Sequence, residues 1–378
     1  MINRRTLIRG GLVAGLASQR ILAGNAPSPP GLRRIATEEG FNIPEVARAT
    51  ARILPELVSR EPGEAAVFGV DRPRSGDEAP PPWLHQLSDI GAGRIADMDG
   101  AGIAMQVLLL SSPGVQMFEA GEARELSQLA NDRLADAIRK YPDRFAGLAA
   151  IPPQDPAFAA RELERAVSKL GLNGAIINSH TGGHYLDEAP YLPILEAAAA
   201  LEAPIYIHPR APSPQMVGPY LDYQMVGAIW GYAVEVSAHA LRLIFSGVFD
   251  RLPKLRIVIG HMGEGIPFFL DRIDTHYAAG AGRGRGSKPL SRPPSEIFRD
   301  HFTITTSGMN WGPALRLSLE TLGPERVMFA ADYPFENARA AVSRIDALGL
   351  EPDTLAKLYH RNAERVFRLT ARGAGQAK

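Results

Sequence analysis

From Arg33 onward, short apolar runs closed by polar or glycine turns alternate with longer stretches whose apolar residues recur at helical spacing. Eight runs read as buried strands: Ile35–Glu39, Met105–Leu110, Phe145–Ile151, Ala175–Ile177, Ile205–Ile207, Ile257–Ile259, Thr303–Thr306 and Val327–Ala330. Between them, Glu122–Tyr141 carries a helical stripe of Leu126, Leu129, Leu134, Ala137 and Ile138. Further helices are expected over Arg161–Leu170, Tyr191–Leu201, Ala228–Phe245, Pro313–Leu322 and Pro352–Leu369, with Pro44–Arg60 partly helical. Strands alternating with helices imply parallel pairing through right-handed crossovers, and a count of eight implies a closed (β/α)8 TIM barrel, of the α/β class. An open doubly wound sheet is the competing architecture, but no glycine-rich phosphate loop follows the first strand. Without an internal repeat or a clear linker, the barrel is one domain over residues 31–372, with an extended loop after the first strand and a tail over 373–378. That excursion includes a proline-rich stretch, Asp71–Trp83, and a glycine-rich basic tract, Ala279–Arg292, reads as a surface loop.

In such a barrel the carboxyl ends of all strands face one mouth, so residues far apart in sequence meet there. Glu38 ends the first run, His208 the fifth, His261 the sixth and Asp332 the eighth. Ser111 (or Ser112) and His180 face the same mouth from the second and fourth. Each alone has a bland reading, since a lone acid at a strand end often caps the next helix. Four such groups at four strand ends favour chemistry. Two oxygen ligands and one imidazole make a site for zinc or manganese with open positions for substrate or water. The stretch RIVIGHMGEG places His261 where the backbone turns, with Glu264 three residues on. A histidine backed by a carboxylate is a common form of general acid or base.

Composition narrows the partners. Hydrophobic residues make up 45% and charged residues 22%, and 41 basic side chains balance 41 acidic ones. No nucleic acid or anionic membrane is implied. Absence of cysteine excludes disulfides, thiolate catalysis and cysteine zinc sites. Residues 1–30 stand apart as a leader: Asn3-Arg4-Arg5-Thr6-Leu7-Ile8-Arg9 resembles a twin-arginine signal. A glycine-rich, weakly apolar stretch and small residues at Ala23–Ala26 follow, although Arg20 interrupts it. The expectation is export to the periplasm as a protein without a membrane span.

The chain resembles the amidohydrolase superfamily, in the branch of non-oxidative aromatic acid decarboxylases. The segments that carry the resemblance are IATEEGFNIPEV (35–46), RIADMDGAGI (94–103), LLSSPGVQ (109–116), YIHP (206–209), ALRLIFSGVFDRLPKLRIVIGHMGEG (240–265), ITTSGM (304–309) and FAADYPFEN (329–337). The resemblance implies one divalent ion, manganese or zinc, held by Glu38, His208 and Asp332. It makes His261, supported by Glu264, a catalytic histidine, and Asp332 the proton donor. Arg272 is implied to grip a substrate carboxylate, with Phe335 near the substrate. Many members carry a histidine ligand where this chain has Gly40, a departure shared with the 5-carboxyvanillate type, described as a manganese enzyme. The implied substrate is a small hydroxylated aromatic acid, and the implied assembly a homodimer or homotetramer. Hydrolysis of a lactone or cyclic amide by the same residues is the alternative activity, and a barrel that binds aromatic acids without turnover is the non-enzymatic one.

Overall fold

All eight apolar runs form parallel strands in a computed structural model that describes residues 32–70, 82–281 and 289–369. They are β1 (Ile35–Phe41), β2 (Met105–Leu110), β3 (Phe145–Gly147, resuming at Ala149–Ala150), β4 (Ala175–Asn178), β5 (Ile205–His208), β6 (Ile257–Ile259), β7 (Phe302–Thr305) and β8 (Val327–Met328). Pairing runs in chain order, with Ile35 beside Met105, Gln106 beside Phe145, Asn178 beside His208 and Ile304 beside Val327. At Leu148 the third strand passes from one neighbour to the next. The Leu148 N–H donates to Leu108 O at 2.9 Å, and the Ala149 N–H to Gly174 O at 2.8 Å. The ring closes where the Thr37 N–H donates to Phe329 O at 3.1 Å, joining the first strand to the end of the last. Every strand residue is buried, as expected where helices cover the outside of a parallel sheet and side chains fill its inside.

Two departures from the sequence reading share a cause. β8 ends at Met328 rather than Ala330, and the expected final helix is broken into Pro352–Ala356, a π turn at Lys357–Arg361, and Asn362–Val366. The Leu358 carbonyl accepts from the Phe329 N–H at 2.8 Å, and the Asn362 amide donates to Val327 O at 2.8 Å. The helix therefore lends its polar groups to the last strand, and its own ladder loosens where it does so. Three further helices, Ala92–Ala101, Pro294–His301 and Ala338–Asp346, lie outside the expected set; each is short, at ten, eight and nine residues.

The excursion after β1 is mainly helical, with Pro44–Arg60, Pro62–Val67 and Pro82–Ser88. Among the described residues no helix is long and apolar enough to cross a membrane. The expected leader, the C-terminal tail and parts of both loop stretches lie outside the described residues.

Candidate metal centre

Four strands build the site, and Glu38 lies within β1, which runs on to Phe41, rather than at the strand end the sequence implied. Glu38 is buried, and its Oε2 accepts from Tyr206 Oη, from Ser307 Oγ, and from Thr305 Oγ1 at 2.9 Å. Its other oxygen, Oε1, is buried without a hydrogen-bond partner among the described residues. Such an orphan is costly unless a cation completes it. His208 Nδ1 lies 2.8 Å from Pro209 O, which fixes the proton on Nδ1 and leaves Nε2 with a free lone pair. His208 Nε2 is 3.6 Å from Glu38 Oε1. Glu38, His208 and Asp332 each offer one ligand atom, and these lie within 4.8 Å of one another. Donors around one ion at about 2.0–2.2 Å stand only slightly closer than this. The donor set therefore fits a single divalent cation.

Backbone strain collects here. His261, Glu264 and Asp332 all lie in the left-handed region, at φ of 50°, 53° and 64°, a conformation that costs non-glycine residues energy and clusters at functional sites. Glu39 holds the Asp332 turn in place. Its buried carboxylate accepts the Ala331 N–H at 2.8 Å and the Tyr333 N–H at 3.0 Å, one on each side of the ligand. Burial pushes the Glu39 carboxyl up to about 8, against the lowering effect of those two bonds.

His261 sits beside the cluster. Its Nδ1 is 2.8 Å from Glu264 Oε1, and its Nε2 is 3.6 Å from Asp332 Oδ2 and 3.9 Å from Glu38 Oε1. Burial opposes the charged ring, but the Glu264, Glu38 and Asp332 carboxylates together outweigh it and hold His261 well above the usual imidazole value. Two glycines leave the room these groups need. A Cβ on Gly260 would stand 2.7 Å from Glu38 Oε2, and one on Gly308 would press on His261 at 3.2 Å.

Not every expected residue joins the cluster. His180 was expected to face the mouth; it is fully buried, with Nε2 3.1 Å from Ala211 O and Nδ1 accepting the Gly183 N–H at 3.1 Å. Burial, and then the nearby Arg210, push its pKa down to about 2. It is a neutral buckle between two loops, with no nitrogen left for a substrate. Ser111 is buried at the end of β2, its N–H donating to Phe41 O. Phe335 is 45% exposed and packs on Trp83 with ring centroids 5.5 Å apart. Arg272 is exposed on the helix Ile266–Ala281 and has no ion-pair partner among the described residues. Space at Gly40 is tight: a Cβ there would stand 3.2 Å from Leu87 and 3.4 Å from both Phe335 and Tyr333 O.

The sequence reading missed the groups that orient Glu38. Tyr206 precedes His208 by two positions on β5, and Thr305 precedes Ser307 by two at the end of β7, so each pair shares a face. That alternation was legible, but nothing local said which face turned inward. A cavity of about 600 Å³ opens beside the Asp332 turn, lined in part by Asp97, Gln106, Tyr333, Phe335 and Glu336; it includes none of the three donor residues.

An eight-stranded parallel barrel with two carboxylates and an imidazole converging at its strand ends defines a class of barrel proteins built around a mononuclear metal site. A family model described as amidohydrolase matches residues 80–369, and the chain belongs to that family. It is 38% identical over 347 residues to a gamma-resorcylate decarboxylase of Rhodococcus jostii, covering 89% of this chain and 98% of that one. The 5-carboxyvanillate decarboxylase of Sphingomonas paucimobilis superposes with a TM-score of 0.82 at 44% identity, over 90% of this chain and all of the other. A 5-carboxyvanillate decarboxylase of Novosphingobium aromaticivorans, crystallised with manganese and 4-hydroxy-3-methoxy-5-nitrobenzoic acid, gives a TM-score of 0.85 at 40% identity, covering 89% of this chain and 96% of that one.

Proposed function

We propose that this chain is a metal-dependent, non-oxidative decarboxylase of a hydroxylated aromatic carboxylic acid. The observation that carries the reading is the unpartnered Glu38 Oε1, aimed with His208 and Asp332 at one point beside a proton-bearing His261. Glu38, His208 and Asp332 would hold the ion, and two carboxylates with one imidazole favour manganese over softer metals. When bound, the ion supplies a fixed positive charge that orients and stabilises adjacent phenolate and carboxylate oxygens.

The chain's own residues handle the proton. His261, kept charged by Glu264 behind it, stands 3.6 Å from Asp332 Oδ2 and replenishes its proton. Asp332 delivers that proton to the ring carbon bearing the carboxylate, with the electron pair drawn from the phenolate-activated ring. The carbon–carboxylate bond then breaks, its pair restores the aromatic ring, and carbon dioxide leaves. Ser111 and Phe335 are assigned to the substrate wall. Arg272 is assigned to the carboxylate on resemblance alone, and Arg272→Lys should raise KM through loss of bidentate geometry; unchanged kinetics remove it from the site.

The deciding experiment incubates the manganese-loaded protein with a panel of ortho-hydroxybenzoates and follows carbon dioxide release. Acid release from lactones or cyclic amides, with no carbon dioxide from any aromatic acid, would establish the hydrolytic alternative instead. We also propose export through the Asn3–Arg9 leader. Fractionation should recover a shortened chain from the periplasm; full-length protein confined to the cytoplasm of an export-competent strain refutes it.

A further inference from the structure

At the opposite end of the barrel from the metal cluster lies a cavity of about 390 Å³, where β5 to β8 begin, reached by Pro204, Ile257, Thr303 and Arg326. Five cationic side chains line it, Lys254, Arg256, Arg326, Arg365 and Arg368, against one carboxylate, Glu202. The whole chain is neutral, so this is a local concentration of charge. Groups at this end of a barrel ordinarily serve stability, and several of these do. Glu202 holds Lys254 at 2.7 Å and Arg368 at 2.8 Å. Arg365 donates to Glu325 O at 2.5 Å, and Arg256 Nη1 to Pro253 O at 2.8 Å and Leu255 O at 2.9 Å.

Arg326 breaks the pattern. It is half-buried, and among the described residues its guanidinium has no hydrogen-bond or ion-pair partner. It also borders a second cavity of about 370 Å³, which shares Arg256 and Arg326 with the first. Burial, then Arg365 and Arg256, push Arg326 down against the partial offset of the nearby Asp300 and Glu325 carboxylates, and burial and Arg256 push Arg365 down against Glu325. A cluster built only for stability would give each guanidinium a partner, because an uncompensated, partly desolvated charge is destabilising. Here three guanidinium groups crowd an open volume, offset only in part by the Asp300 and Glu325 carboxylates, and among the described residues that of Arg326 makes no hydrogen bond or ion pair.

We propose that this pocket binds a small anion carrying two or more negative charges, a phosphate- or sulfate-type oxyanion or a dicarboxylate, on Arg326 with Arg256 and Arg365. Planar guanidinium forks match such oxygens two at a time. The concave shape selects a compact ligand over a polymer or a membrane, which require an extended basic surface.

The test is calorimetric titration of the metal-loaded full chain with sodium sulfate and, separately, sodium succinate, at ionic strength held constant with chloride. Neither probe depends on turnover, so the outcome stands apart from the decarboxylase reading. Saturable one-to-one binding is expected, and whichever probe binds more tightly identifies the oxyanion or the dicarboxylate class. Arg326→Gln should weaken binding at least tenfold, leave catalysis unchanged and, without anion, leave the melting temperature equal or higher, because a repulsion is removed. Arg365→Gln serves as the second variant should the first misfold. No saturable binding by either probe, equal binding by the wild type and both variants, or a lowered anion-free melting temperature for Arg326→Gln would overturn the proposal.

Discussion

Glu38 and Glu39 are neighbours in sequence with separate tasks. Glu38 faces the cluster; Glu39 fastens the turn that carries Asp332, and the irregular pairing of β1 between Ala36 and Glu39 accompanies this double presentation. In Glu39→Gln an amide group replaces one acceptor oxygen, so either the Ala331 or the Tyr333 N–H loses its partner. The expected cost is about 1–3 kcal/mol of stability for the buried donor, with metal affinity lowered about 10–100-fold, as for other groups that orient a ligand. Chemical denaturation and chelator competition measure the two effects; unchanged metal affinity would confine Glu39 to a structural part. Asp332→Asn keeps the shape of the side chain and removes its acidic proton, so decarboxylation should fall by at least about 100-fold with the circular dichroism spectrum unchanged. Substantial residual turnover would move the proton donor elsewhere.

Among the elements, the helical excursion after β1 is fastened to β5 just beyond His208. Fully buried Arg210 bonds through Nε to Glu64 Oε1 at 3.1 Å, pairs through Nη2 with Glu61 Oε2 at 3.2 Å, and donates to His180 O at 3.1 Å. The same Glu64 oxygen accepts the Ala211 N–H at 3.0 Å. Arg210→Met preserves bulk but strands two buried carboxylates, and a loss of about 3–5 kcal/mol is expected. A double variant, Arg210→Met with Glu64→Gln, should recover part of it, which equilibrium denaturation of the three variants would reveal. A loss below about 1 kcal/mol would show that water, not the ion pairs, satisfies this junction.

For the whole molecule, the metal and the proton compete for the same charge. In chelator-treated protein, His261 and Glu39 both titrate above their ordinary values. The stabilisation from His261 is complete below about 6.5 and is lost as pH climbs through its raised folded value. For Glu39 it is complete below the ordinary carboxyl value and gone once pH passes about 8. His180 and His239, buried neutral and pushed down to about 2 and about 3, act in the opposite sense, but only below about 6.5. The melting temperature of the stripped protein should therefore fall between pH 7 and 9. Manganese in excess should raise it by mass action and flatten that fall, since the bound cation supplies the counter-charge that the His261 proton otherwise provides. A melting temperature that rises over this window without metal, or no response to manganese, would contradict the assignment.

By itself, the sequence determined what depends on spacing along the chain. Strand runs such as Met105–Leu110 and Ile257–Ile259 matched to the residue, because an apolar run between turn residues has few other solutions in a covered parallel sheet. That Glu38, His208, His261 and Asp332 sit on or just beyond four different strands followed from the same periodicity, although β1 runs on to Phe41 and leaves Glu38 inside the strand rather than at its end. Tertiary structure alone decided the rest. It set which face of β5 turned Tyr206 toward Glu38, and that β8 stopped early to bond with Leu358. It also engaged both ring nitrogens of His180 with backbone groups and left the Arg326 guanidinium without a partner among the described residues. Periodicity is a property of neighbours in the chain; hydrogen-bond partners and cavity walls come from strands and helices hundreds of residues away, and no local pattern encodes them.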